Sequence, residues 1–240
     1  MSSSSSSASN VSNSIVRTPS AIVHLVSLST SLWGAYRATK VVLPIRLREA
    51  GHRQFLTNIA LAATILTNVV TLVSYARANS RSLGHTSRQV ALPLALVLET
   101  VVALVYWPLR LFFLPLIMHN VKDGSRVPLP VPVDCAIHLL PVVYLAVDYL
   151  ALEPAPFQMS TKTAWFVVTA LGLGYNQYLK VIVDHDNGAV YPYPFLEVKE
   201  PYRSAIFVAV TSIAWIWFVI YKKLHRGGIR GGQAKLGKAN

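Results

Sequence analysis

Cysteine is nearly missing from this chain: Cys135 stands alone, which excludes an intrachain disulfide and any cysteine-based zinc site. Charge is scarce too. Asp, Glu, Lys and Arg make up 13% of the 240 residues, against about 25% in a soluble domain. Neither a GxSxG elbow, a P-loop nor a GxGxxG run is present, so an α/β serine hydrolase, a nucleotide enzyme and a Rossmann oxidoreductase find no support. HExxH and paired-His spacings are missing as well. Without an internal repeat, the inverted-repeat architecture of many transporters has no basis.

What the chain has in abundance is apolar length. Hydrophobic residues make up 53% of it, and they gather into six segments: 21–42, 55–75, 91–118, 131–152, 164–183 and 204–221. Each is near the roughly 17 to 25 residues that a bilayer-spanning helix needs. These features predict an all-α integral membrane protein, a bundle of about six transmembrane helices with both termini on the same side. Residues 1–20 open with a serine run and lack an apolar core, so a disordered tail is expected rather than a signal peptide. Residues 21–221 form the membrane domain and 222–240 a basic, glycine-rich tail. The net charge of +12 lies in short loops and in that tail, which suits lipid headgroups and topology rather than nucleic acid. Basic residues number 11 on each side of such a bundle, so the positive-inside rule ties; the dense C-terminal cluster leans toward cytosolic termini.

Polar side chains inside apolar segments are costly at membrane depth and point to function. In 131–152, Asp134, His138 and Asp148 share one helical stripe with Pro141 and Leu145. In 55–75, Thr57, Leu61, Thr64, Asn68, Thr71 and Tyr75 share another. Thr57 and His138 both lie on the order of 5 to 10 Å below the same membrane surface, so the spacing lets them meet. The fifth segment brings Asn176, Lys180 and Asp184 to that side, followed by His185 and a turn-rich loop. His24 enters from the opposite surface. A threonine hydroxyl becomes a useful nucleophile when a histidine takes its proton, and Asp134, one turn before His138, is placed to hold the imidazole. The blander reading is that inward threonines bond backbone carbonyls and hold helices together.

Three short runs resemble the androgen-induced gene 1 family, which includes the androgen-dependent TFPI-regulating protein and fungal members. Phe55-Leu56-Thr57 is similar to the family's aromatic-Leu-Thr. The run 133–138 with Leu140-Pro141 resembles its Asn-His-Gly-Met-His motif and following Leu-Pro. His185 with Gly188, then Tyr193-Pro194-Phe195-Leu196-Glu197, resembles a His-x-x-Gly run and the Tyr-Pro-Phe-Leu-Glu loop. Asp134 and Cys135 depart from the Asn and second His of animal members. The resemblance implies a multi-helix membrane hydrolase of fatty acid esters of hydroxy fatty acids, with Thr57 as nucleophile, His138 as base and no cofactor. Asp134 and His185 are the expected supporting residues. Asn58, Asn176, Lys180 and Arg53 are the candidates for substrate contact, and the substrate enters from the bilayer. The endoplasmic reticulum or another endomembrane is the expected location. Two alternatives stay open: a metal-dependent hydrolase with ligands from His138, His185, Asp134, Asp148 and Asp184, and a non-enzymatic transporter or scaffold.

Overall fold

The structure is a computed structural model and describes residues 4–77, 80–119 and 127–225, with the backbone alone for 4–17 and 81. Its ordered elements are helical: α1 (Ser4–Thr39), α2 (Leu56–Ala76), α3 (Arg81–Thr86), α4 (Leu92–Phe112), α5 (Val131–His138), α6 (Leu140–Val147), α7 (Thr161–Ile182) and α8 (Tyr202–Leu224). A π-helical turn, Ser87–Ala91, joins α3 to α4, and another, Asp148–Leu152, ends α6. Joined in this way, the helices make six long bodies that run in alternating directions. One end of the bundle, the terminal side, holds the Ser20 bonds to Tyr75 and Asp148, the Thr71–Ser87 pair and the Trp215 indole on the Thr161 carbonyl. The other, the loop side, joins Arg110 to Asp134 and Leu56 to Tyr193.

Leu56–Ala76, Ser82–Phe112 and Tyr202–Leu224 are each long and apolar enough to cross a membrane, and α5 with the α6 body makes a fourth span bent by 42°. The remaining two bodies complete the bundle, α1 along α2 and α5, and α7 along α8. Helix α1 is less apolar because Ser20, His24, Ser27 and Ser31 form a buried stripe at spacings of three and four. Small residues bring backbones close. A Cβ on Gly34 would stand 2.6 Å from the Ile137 side chain, and one on Gly172 would stand 2.2 Å from Thr211 Cγ2, so α1 abuts α5 and α7 abuts α8.

Proline accounts for the two main irregularities. Pro141 has no N–H for the Ile137 carbonyl, so the fourth body breaks at Leu139 instead of running straight through 131–152 as the apolar run predicts. The carbonyl of His138, next to the break, accepts from the Trp107 indole at 3.2 Å. Pro93 likewise lacks a donor for Gln89, and the π-turn before it absorbs that loss. The third body ends at Phe112, short of 118, and a 3-10 turn at Leu114–Leu116 carries Pro115. At the N-terminus, helix α1 begins at Ser4, within the stretch expected to be a disordered tail. Most of the basic C-terminal tail lies outside the described residues.

Candidate functional site

Helix α5 is only 8 residues long, and its one-turn spacing stacks Asp134 beneath His138. The imidazole Nδ1 lies 3.0 Å from Asp134 Oδ1. Both side chains are buried, and a buried carboxylate needs partners. Helix α4 supplies them from successive turns: the Tyr106 hydroxyl donates to Asp134 Oδ1 and Arg110 Nε donates to Oδ2 at 3.0 Å. The Tyr106 ring also lies flat on the imidazole, with centroids 3.4 Å apart and planes 4° apart. Asp134 therefore fixes Nδ1 as the protonated nitrogen, and stacking fixes the ring plane. Nε2 is left as the basic nitrogen.

Thr57 is buried in the first turn of α2. It lies where two cavities meet. The smaller, on the loop side, is lined by His52, Thr57, Asn58, Tyr106, His138 and Tyr193 among apolar neighbours. The larger is almost wholly apolar and runs between α4, α7 and α8, with Leu56, Thr57, Tyr106 and Tyr193 at its loop-side end. Thr57, Tyr106 and Tyr193 line both. A group seated at Thr57 thus faces a chamber that holds His138 on one side and a hydrocarbon-like slot on the other.

Tyr193 comes from the loop between α7 and α8, where Pro194–Leu196 form a 3-10 turn. Its ring packs edge-on against Phe55, with centroids 5.9 Å apart, and flat against Phe195 at 5.4 Å. The hydroxyl takes the Leu56 N–H at 3.1 Å, next to Thr57, with which Tyr193 lines both cavities. Leu56 N–H is one of the amides that a helix start leaves unpaired. Burial pushes the phenol up from its ordinary value, so it keeps its proton through neutral pH.

The other expected residues are dispersed. Asn58 lines the smaller cavity and donates Nδ2 to the His52 carbonyl at 2.7 Å. Asn176 is buried on α7 but lines neither cavity. Lys180 is exposed, 3.9 Å from Glu200, and Arg53 is exposed with Nε on the Ala50 carbonyl. His185, expected to support the site, stands exposed outside it, edge-on to Tyr191 at 4.5 Å. The cause is local: Asp184 accepts from the amides of Asp186 and Asn187, and Gly188 turns the chain at φ 80°, so the loop folds back before reaching the cavity. Tyr193 carried no role in the sequence reading. Its only signal was its place in the Tyr-Pro-Phe-Leu-Glu run.

A second buried polar cluster occupies the terminal side. His24 Nδ1 meets Asn68 Oδ1 at 2.7 Å and Nε2 meets Asp148 Oδ2 at 3.1 Å. Ser20 donates to Asp148, and Asn68 donates to Ser27. Among the described residues, no group of three or more His, Cys, Asp or Glu side chains is close enough to hold a metal.

The comparisons agree with this architecture. The model of the FAR-17a/AIG1-like protein family matches residues 19–226. The UPF0641 membrane protein YHR140W of Saccharomyces cerevisiae is 50% identical over 205 residues, covering 82% of this chain and 86% of its own. The UPF0641 membrane protein PJ4664.05 of Schizosaccharomyces pombe is 29% identical over 207 residues, covering 85% and 89%. No solved structure matches. A helical membrane bundle matched by this family's model over most of its length, with a yeast relative identical at half the aligned positions, belongs to the FAR-17a/AIG1-like family.

Proposed function

We propose that this protein is an intramembrane lipid esterase acting on fatty acid esters of hydroxy fatty acids or closely similar esters, with Thr57 as nucleophile and His138 as general base. One observation carries the reading: Thr57 lines both an apolar slot and a smaller chamber that contains His138, whose Nδ1 is already held by Asp134. The acyl chain lies in the slot and the ester carbonyl rests at Thr57. Thr57 Oγ1 adds to the carbonyl carbon while its proton passes to His138 Nε2, and the Tyr193 hydroxyl donates to the carbonyl oxygen as negative charge builds there. The bond to the hydroxy-acid oxygen then breaks. His138 returns the proton to that oxygen, so the hydroxy acid leaves as an alcohol and the acyl group stays on Thr57. Water adds to the acyl carbon with His138 again taking a proton. The Thr57 oxygen departs with that proton, and the free fatty acid is released.

Asp134, paired with Arg110 and hydrogen-bonded by Tyr106, positions the imidazole and stabilises its cation. The test is hydrolysis by purified, detergent-solubilised protein, comparing wild type with Thr57→Ala and His138→Ala while thermal unfolding monitors the fold. Loss of roughly three to four orders of magnitude in both folded variants is expected, together with an acyl adduct on the Thr57 peptide of the acid-quenched wild type. Full activity in Thr57→Ala would remove the nucleophile assignment.

A further inference from the structure

The larger cavity has a direction and a length. On α4 it is lined from Pro93 to Tyr106, on α7 from Ala164 to Tyr175 and on α8 from Ile206 to Phe218. At about 1.5 Å per helical residue, these stretches span roughly 16 to 20 Å along the bundle. One leaflet of a hydrocarbon core about 30 Å thick is about 15 Å, so the slot matches one extended long acyl chain. Polar groups sit at its loop-side end with Thr57. Toward the terminal side, Thr211 is the only polar liner, and its hydroxyl is spent on the Phe207 and Val208 carbonyls. The Thr211 methyl packs on Gly172, so α7 and α8 abut at this level of the slot. The far end is stopped by Met159, Ala164, Ala214 and Phe218; Phe218 is buried and braced against Phe157, with ring centroids 5.7 Å apart.

We propose that the slot between α4, α7 and α8 is a ruler for a single acyl chain, in which the distance from Thr57 to Phe218 sets the preferred chain length. This rests on the esterase reading for the identity of the group at Thr57. It adds which part of the substrate is measured and which residues measure it.

The test uses two variants that should move the preference in opposite directions. Ala214→Phe fills the slot before its end, and Phe218→Ala removes the stop. Full-length wild type and both variants are assayed, with folding checked, on esters of one hydroxy acid bearing even-numbered acyl chains from short to very long. The optimum should shorten by about four methylenes, roughly one helical turn, in Ala214→Phe and lengthen in Phe218→Ala. Loss of packing alone lowers all chain lengths together and does not move two optima apart. A parallel measurement separates the ruler from the chemistry: native mass spectrometry of Thr57→Ala protein, alone and with each slot substitution, reads which free fatty acids are retained. Opposite shifts in retained chain length support the ruler even if no ester is hydrolysed. Wild-type chain-length profiles in both folded variants, in hydrolysis or in retention, would overturn it.

Discussion

Two Asp–His pairs lie at opposite ends of the bundle, and they are built for different work. On the terminal side, His24 Nδ1 bonds Asn68 while Nε2 faces the Asp148 carboxylate at 3.1 Å in an ion-pair contact, and the ring lines neither cavity. On the loop side, His138 spends one nitrogen on Asp134 and turns its ring to a cavity shared with Thr57. Both pairs are buried and both cross between helices or turns, so burial and charge do not tell them apart. The free nitrogen does. A histidine whose two nitrogens are both held ties helices together, whereas one held at Nδ1 alone retains a base.

Substitutions sharpen this contrast. The largest separation is expected between His138→Ala and His24→Ala. The first should cost roughly three to four orders of magnitude in ester hydrolysis with the fold retained. The second leaves Asp148 buried without its imidazole and should cost about 3 to 5 kcal/mol of stability, read by denaturant titration in micelles, while the rate per folded molecule stays at the wild-type value. A catalytic defect in folded His24→Ala protein would erase the distinction. Next in size is Tyr193→Phe, which removes only the hydroxyl beside Thr57. The expected loss is about 100- to 1000-fold in kcat with little change in thermal stability.

The terminal side offers a pH test of its own. Glu153 lies just beyond the last π-turn, with Arg88 Nη1 at 3.4 Å. Burial pushes its carboxyl from 4.5 up to about 7, against the pull of Arg88. Between those values the folded protein keeps a proton that the unfolded chain has lost, so stability falls as pH rises through that window. The total is about 3 to 4 kcal/mol at roughly 1.4 kcal/mol per unit. The difference between wild type and Glu153→Gln, followed by unfolding across this range, should show that slope; parallel curves would refute it. The loop-side activity should not follow the same titration.

The smallest effect expected belongs to the support of His138. Asp134→Asn keeps an acceptor for Nδ1 but turns an amide N–H₂ or a poorer acceptor toward Arg110 Nε, and about a tenfold loss of rate is expected. Adding Arg110→Gln should restore part of it, because the clash of donors is removed; a double-mutant cycle with strictly additive losses would argue against this geometry.

Parts of this arrangement were readable in advance for clear physical reasons. Apolar length marked the helical bodies, because a span must satisfy its backbone internally and cover a fixed thickness. One-turn spacing placed Asp134 beside His138, a local relation that any helix enforces. Other parts depended on contacts between distant segments. Asp148 shares the stripe of His138, yet it lies 10 residues on, about 15 Å along the axis, and meets His24 instead. His185 follows α7 toward the right side of the membrane, but Gly188 and the Asp184 turn leave it outside the cavity. Tyr193 reaches Thr57 only because its loop packs against Phe55 and the start of α2.

By itself the sequence determined a helical membrane protein, the ends of its second, fifth and sixth segments within a few residues, and the pairing of Asp134 with His138. Hydropathy, proline stereochemistry and the 3.6-residue turn act over short distances, and they are written in order along the chain. Only the tertiary structure decided that Thr57 lines both cavities, that Arg110 and Tyr106 hold the aspartate, and that α4, α7 and α8 line an apolar slot. Those facts arise where side chains from separate helices face one another. Which faces meet is set by the packing of the whole bundle, through contacts such as Gly34 on Ile137 and Gly172 on Thr211, and not by any one segment.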